Sequence, residues 1–279
     1  MSLSMATFLA NDCLVKYVSE SLPGPQLIFI RGLFSSVFLL AAARMTGALR
    51  MDSMQGTGTT PLWKDWRLLA RSALDAVATM IYLSSLFHLP IGNATAINMA
   101  TPLVITLIAA VALRERVSRA RWLAIVVGFT GVLLVVQPAA NAFNAWALLC
   151  LSGTLLGAVR DLLTRAIRPN VPTVLITLAT AMSTCLLAGL IATQQAWHPV
   201  SARQYAMLGV AGAFLSTGYY LLIVSLRAGE MSVVSPFRYT ALLFALLVGW
   251  AIWGDVPNAL AWMGITLLVG AGLYMLRAR

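Results

Sequence analysis

Apolar runs of about twenty residues, each closed by a charge, a proline, a glycine or an asparagine, occur ten times along this chain. They lie near residues 3–19, 26–47, 67–87, 92–113, 119–136, 145–165, 172–193, 204–226, 231–252 and 259–276. A helix needs roughly 20 apolar residues to cross a bilayer core, so each run predicts one spanning helix, numbered here span 1 to span 10. The other way to cross, a closed barrel, needs strands of alternating apolar and polar positions. No such alternation is found. The longest polar stretch, "MDSMQGTGTTPLWKDW" at 51–66, predicts a loop by its Gly, Thr and Pro content and ends in the interfacial tryptophans Trp63 and Trp66. Other connections are short, which places consecutive helices side by side. The expected fold is an all-α membrane bundle of ten transmembrane helices with no soluble domain.

Composition sharpens this picture. The 279 residues are 60% hydrophobic and 10% charged, with a mean hydropathy of +0.85, against about 25% charged residues in soluble proteins. No basic leader with a small-residue cleavage site precedes the first run, so that run is expected to remain as a helix. A net charge of +10 would suit nucleic acid if it formed one basic face, but here the charge sits at the ends of apolar runs. The lipid bilayer is the expected partner, and nucleic acid is not. Of the 19 Lys and Arg, all but Lys16, Arg31, Arg203 and Arg238 fall in or beside the connections after even-numbered spans, or at the C-terminus. Basic residues collect on the cytoplasmic side, so both termini are expected there.

The charge pattern also suggests a repeat. "LRERVSRARW" at 113–122 and "WGDVPNALAW" at 253–262 both follow an apolar run, carry an acidic residue (Glu115, Asp255) and end on a tryptophan (Trp122, Trp262) that opens another run. At the same offset Leu103 matches Leu243, Leu107 matches Leu247 and Ile125 matches Ile265. Earlier in each half a longer offset pairs Asp12 with Asp161, Lys16 with Arg165 and Pro23 with Pro172, a difference that the long loop at 51–66 accommodates. Five spans per copy is an odd number, so the second copy inserts upside down. One corner is then cytoplasmic and arginine-rich while its counterpart is external and carries none. The expected organisation is two inverted five-helix repeats, 1–139 and 140–279, a construction that recurs in alternating-access transporters.

With each fourth span leading through an acidic residue and a short loop into a Trp-opened, Gly-bearing fifth span ("ALRERVSRARWLAIVVGFTGVLLVV" and "AIWGDVPNALAWMGITLLVGAGLYML"), nearly the whole chain resembles the EamA-type drug/metabolite transporter superfamily. Within it, the general likeness is greatest to the aromatic amino acid exporters. The resemblance implies a bacterial inner-membrane exporter of amino acids or similar small metabolites, with other metabolite or multidrug export as the alternative. The chain is expected to be a monomer or a homodimer.

Ionisable groups inside spans are costly and therefore mark candidate sites. Asp75 lies eight residues past Arg67 and Arg238 seven past Met231, depths of roughly 12 and 10 Å at 1.5 Å per residue. Matched depth and opposite charge predict that they approach each other or jointly hold a gate. Asp75, Thr79 and Tyr82 share one helical face, which should point into the bundle. Asn98, Thr101 and Pro102 lie near the middle of span 4, where proline frees a backbone carbonyl for a substrate or a kink. Span 8 contributes Ser216, Thr217, Tyr219 and Tyr220, and span 9 Ser235, Pro236, Tyr239 and Thr240. An apolar and aromatic lining with few polar anchors suits a zwitterionic or amphipathic small molecule. Asp12 and Lys16, at i and i+4, are expected to form an internal salt bridge, with coupling or gating as their alternative role. Arg31 is expected to snorkel to the external surface. The glycines of "VVGFTGV" and "LLVGAGLY" predict close helix packing or a dimer face.

Other chemistries lack their signatures. Cys13, Cys150, Cys185, His88 and His198 have no metal-ligand spacing, and no HExxH or GxSxG motif occurs. No channel filter is evident. Without a GxxxxGK phosphate loop, neither ATP nor another cofactor is expected, so a gradient must supply the energy.

Overall fold

The computed structural model describes residues 1–49, 65–112, 118–136, 145–167, 171–228 and 235–277. The loop at 51–64 and most of the arginine-rich corner, including Arg114, Glu115 and Arg116, lie outside the described residues. The helices are α1 (Ser2–Ser19), α2 (Gly24–Met45), α3 (Trp66–Leu86), α4 (Ile91–Asn98), α5 (Thr101–Ala112), α6 (Arg119–Val136), α7 (Ala145–Ala166), α8 (Thr173–Ala192), α9 (Ala202–Ala228), α10 (Thr240–Val248) and α11 (Ala259–Arg277). A 3₁₀ turn, Ser235–Tyr239, leads into α10, and a π turn, Gly249–Trp253, follows it. Among the described residues no strand is found.

The helices start where the sequence stiffens the chain. Pro23, Pro90 and Pro172 sit immediately before α2, α4 and α8 with φ between −55° and −58°, which fixes the entry to each helix. Asp65 caps α3 by accepting the Arg67 backbone N–H at 3.0 Å. By length and composition, Gly24–Met45, Ala145–Thr164, Thr173–Ala192 and Ala202–Ala228 could each cross a membrane, and four shorter apolar helices accompany them. Helices α1 and α3 fall below that measure because Asp12 and Lys16, or Arg67, Arg71 and Asp75, dilute their apolar content.

Span 4 is two helices. Pro102 has no N–H to give the Asn98 carbonyl one turn back. The Thr101 hydroxyl donates to that carbonyl instead, at 2.6 Å. The helix is interrupted at Met99 and Ala100, between α4 and α5, and the carbonyl that proline releases already has a donor. Span 9 is likewise interrupted, by its 3₁₀ and π turns. It ends at Gly254, whose φ of 69° is left-handed and whose N–H donates to the Trp250 carbonyl at 3.1 Å.

Helix α1 packs on α9, α2 on α8, α3 on α7 and α6 on α11, while α3 also touches α8 and α2 touches α9. Exchanging each span for the one five places away maps this set of pairs onto itself. The main apolar cluster includes Val15, Leu27, Leu83, Ile91, Ile97, Leu103, Leu208 and Leu268, so it joins α1 to α5, α9 and α11. The α6–α11 contact requires glycine. A Cβ at Gly131 would lie 2.6 Å from the Gly264 carbonyl, and one at Gly264 would lie 2.5 Å from the Gly131 carbonyl. These glycines thus pack within one chain.

Gly131→Ala should therefore destabilise the protein by about 1–3 kcal/mol through overpacking. Gly270→Ala, where an added methyl meets nothing within 4 Å, should leave the midpoint of thermal unfolding in detergent unchanged or raised.

Candidate functional site

Four charged residues of this bundle form one chain. Asp75 on α3 receives Arg160 Nη1 at 2.5 Å, Arg160 on α7 reaches Asp161 Oδ1 through Nη2 at 2.8 Å, and Arg238 Nη2 donates to Asp161 Oδ2 at 2.6 Å. Tyr219 on α9 donates to Asp75, 2.9 and 3.0 Å from its two oxygens. Asp75 and Arg238 therefore do not meet directly, as their depths suggested. Arg160 and Asp161 stand between them. Because neighbours on a helix point about 100° apart, these two consecutive residues can face different partners and carry the linkage across α7. Both carboxylates are fully buried. Beside this chain, Arg71 donates through Nε to Thr164 at 2.8 Å and through Nη1 to Thr180.

A cavity of about 980 Å³, its mouth included, opens against the chain. Arg160, Arg238 and Tyr219 line one side, and Asn11, Asp12, Arg31, Tyr82, Thr79, Thr95 and Asn98 supply the other polar groups. Met5, Phe8, Leu9, Met99, Leu215 and Leu222 give it apolar surface. Phe8 meets Tyr219 edge to face with ring centroids 5.0 Å apart. Arg31, Thr79, Leu215 and Tyr219 also line a narrow second crevice that extends toward Thr177, Thr180 and Thr184 on α8. They form the wall between the two.

Several expected contacts differ. Lys16 does not pair with Asp12; its ammonium donates to the Leu89 carbonyl and lies 5.5 Å from the centroid of Trp253. Asp12 instead accepts Asn11 Nδ2 at 2.9 Å and the Tyr82 hydroxyl at 3.0 Å. Arg31 does not snorkel. It is 1% exposed and donates to Asn11 Oδ1 at 3.0 Å. Helix α2 begins at Gly24, so Arg31 is seven residues, or roughly 10 Å, inside it, facing α1 and the cavity rather than the surface.

Thr79, Tyr82, Asn98, Tyr219 and Arg238 come together at the cavity with Asp12. Asp75 lies behind them, within the charge chain. Ser216 holds α9 to α2 through Ser35, with Oγ atoms 2.7 Å apart. Thr101 bonds the Asn98 carbonyl, and Pro102 occupies the first turn of α5. Tyr239 packs against Gly272, away from the cavity. Tyr220 is 44% exposed, one helical step round from Tyr219, so it faces outward. Pro236 is in the 3₁₀ turn, and its side chain lies outside the described residues. Sequence reasoning missed Arg160 and Asp161, an adjacent charged pair inside span 6. The same cost of intramembrane charge that singled out Asp75 would have identified them.

Comparison with known proteins gives the setting. The profile of the EamA-like transporter family matches residues 1–137 and again residues 144–277. A riboflavin transporter of Rhizobium johnstonii is 31% identical over 217 residues, 76% of this chain and 70% of that protein. The pseudopaline exporter CntI of Pseudomonas aeruginosa is 25% identical, over 99% of this chain and 94% of its own. An S-adenosylmethionine uptake transporter of Rickettsia conorii is 23% identical, over 98% and 90%. A solved crystal structure superposes with a TM-score of 0.66 at 17% identity, covering 99% of this chain and 97% of that one, a likeness of fold alone. The relatives named here are transporters, not enzymes, and their names carry riboflavin, pseudopaline and S-adenosylmethionine.

Asp161→Leu removes the shared partner of Arg160 and Arg238, leaving the buried Arg238 guanidinium uncompensated and Arg160 with Asp75 alone. It should destabilise the protein by about 3–5 kcal/mol, measured by unfolding in detergent. Lys16→Met, at a half-buried site outside the charge chain, should cost less than about 1 kcal/mol.

Proposed function

Since the chain belongs to the EamA-like transporter family, we propose that it is a secondary transporter that exports amino acids, aromatic and other neutral ones foremost, across the bacterial inner membrane by alternating access. Both termini are cytoplasmic in this reading, and the halves 1–139 and 140–279 are inverted repeats. The cavity is the observation that carries the proposal. Its wall sets apolar and aromatic surface beside convergent polar groups, as small-molecule sites do. Phe8 and Tyr219 offer faces for an apolar side chain, while Asp12, Arg31, Asn98 and Tyr82 offer polar anchors.

The inverted-repeat reading is supported by helix pairs that exchange with one another when spans are shifted by five and by the two successive matches of the family profile. The second reading, transport of another small metabolite, is favoured by relatives named for riboflavin, pseudopaline and S-adenosylmethionine. In either case the chain Asp75–Arg160–Asp161–Arg238 serves as a gate. It ties α3 to α7 and to the 3₁₀ turn before α10, and alternating access requires such ties between moving parts to open and reform.

Counterflow in proteoliposomes with labelled amino acids, riboflavin and S-adenosylmethionine, each with and without a pH gradient, tests the substrate. Saturable movement of aromatic or other neutral amino acids is expected. Movement of another solute alone would favour the second reading, and no movement of any solute by folded protein would count against transport altogether. Asp75→Asn and Arg238→Gln should each slow transport about tenfold or more through loss of a charge-assisted bond. Wild-type rates in both would dispose of the gate.

A further inference from the structure

Arg31 is the cavity-lining group whose bonding is least complete. Its side chain is 1% exposed and one terminal nitrogen, Nη1, donates to Asn11. Its Nε and Nη2 are buried with no hydrogen-bond partner. Among the described residues, no carboxylate lies within 4 Å of it in an ion pair. Buried guanidinium groups ordinarily pair, since an unsatisfied charged donor in a dry interior carries a large desolvation penalty. The nearby arginines conform: Arg160 and Arg238 hold carboxylates, and Arg71 holds two threonine hydroxyls.

The unmade bonds have a shape. Nε and Nη2 lie on one edge of the planar guanidinium, the edge that presents two parallel N–H groups and matches the two oxygens of a carboxylate. Across the Asn11 side chain stands the opposite charge. Asn11 Oδ1 accepts from Arg31 while Asn11 Nδ2 donates to Asp12, so the amide holds cation and anion apart on one wall. Each Asp12 oxygen accepts one hydrogen bond, from Asn11 or Tyr82, and a carboxylate can accept about four in all. The Asp75–Arg160–Asp161–Arg238 chain compensates itself, with two positive and two negative groups. Arg31 and Asp12 are thereby left as one cation and one anion that a ligand can complete.

We infer that Arg31 holds the carboxylate of the transported solute and Asp12 its ammonium group, so that the solute is a small zwitterion. This rests on the transport reading and assigns the two side chains that anchor its substrate. The two unpartnered donors of Arg31 take the carboxylate in a fork, Asp12 takes the ammonium across Asn11, and an apolar side chain lies against Phe8, Leu215 and Tyr219. A neutral solute without a carboxylate would leave the Arg31 donors bare.

Calorimetric binding to the full chain in detergent, using L-phenylalanine, 3-phenylpropionate and phenethylamine as probes, tests this on wild type and Arg31→Gln. The expected result is that Arg31→Gln weakens both carboxylates about 10- to 100-fold and leaves phenethylamine within about twofold. Equal weakening of all three would make Arg31 a structural residue and overturn the inference, as would carboxylate binding that Arg31→Gln leaves intact. If Arg31→Gln does not fold, Arg31→Lys keeps the charge but loses the fork, and it should weaken the carboxylates selectively by several-fold. Wild-type protein that binds no carboxylate yet moves riboflavin in proteoliposomes would overturn the inference while the transport reading stands. Wild-type protein that moves no solute at all would sink both.

Discussion

Charge that is removed from water must find its compensation inside the protein, and in a membrane bundle that condition decides how helices are joined. Asp75, Arg160, Asp161 and Arg238 satisfy it as a linear chain in which each carboxylate meets at least one guanidinium and each guanidinium at least one carboxylate. Had Arg160 or Asp161 been missing, Asp75 or Arg238 in turn would be buried without its ion-pair partner, at a cost of several kcal/mol. The chain thus fixes α3, α7 and the 3₁₀ turn before α10 relative to each other, with α9 added through Tyr219. Apolar packing alone would not do this, because lipid tails compete equally for leucine and isoleucine surfaces.

The cavity exists because the surrounding contacts are not all alike. Where α6 and α11 cross, Gly131 and Gly264 let the backbones touch and no space remains. Where span 4 passes the cavity, the helix is interrupted between α4 and α5, with Thr101 satisfying the carbonyl that Pro102 releases. Asn98, at the end of α4, is then brought to the cavity wall. Close packing in one place and a satisfied break in another produce a site bounded by rigid helices.

Much of this was legible in the sequence, and the failures have a common origin. Outside the interrupted spans 4 and 9, the predicted spans coincide with the observed helices within a few residues because length and hydropathy are properties of one segment. The contacts of Asp75 and Arg238 depend on several segments. Depth along a helix does not say which helix is the neighbour, and Arg160 and Asp161 of α7 link the two. Arg160 was grouped with Arg165 and Arg168 as a loop residue, whereas α7 runs to Ala166 and carries it inward. Tyr219 and Tyr220 are indistinguishable by composition, yet one step of about 100° sends one to Asp75 and the other to the outer surface. Asp12 and Lys16 have the spacing of a helix ion pair, but Tyr82, Asn11 and the Leu89 carbonyl offer each a partner on its own side. Sequence spacing records which contacts are allowed; tertiary neighbours decide among them.

The two halves also show how a binding site can arise from a structural position. In the repeat proposed above, Asp12 and Asp161 are equivalent, each on the first helix of its half. Asp161 is held by two arginines and contributes to a closed set of bonds. Asp12 meets only the neutral donors Asn11 and Tyr82, while the nearest available cation on its wall, Arg31, is held off by the same asparagine. One copy of the aspartate is therefore compensated by the protein and the other is left for a ligand. A perfectly symmetric molecule could not make that distinction: with both positions closed the cavity would lack anchors, and with both open the bundle would lose the tie that holds α7. Divergence between the repeats assigns stability to one aspartate and recognition to the other.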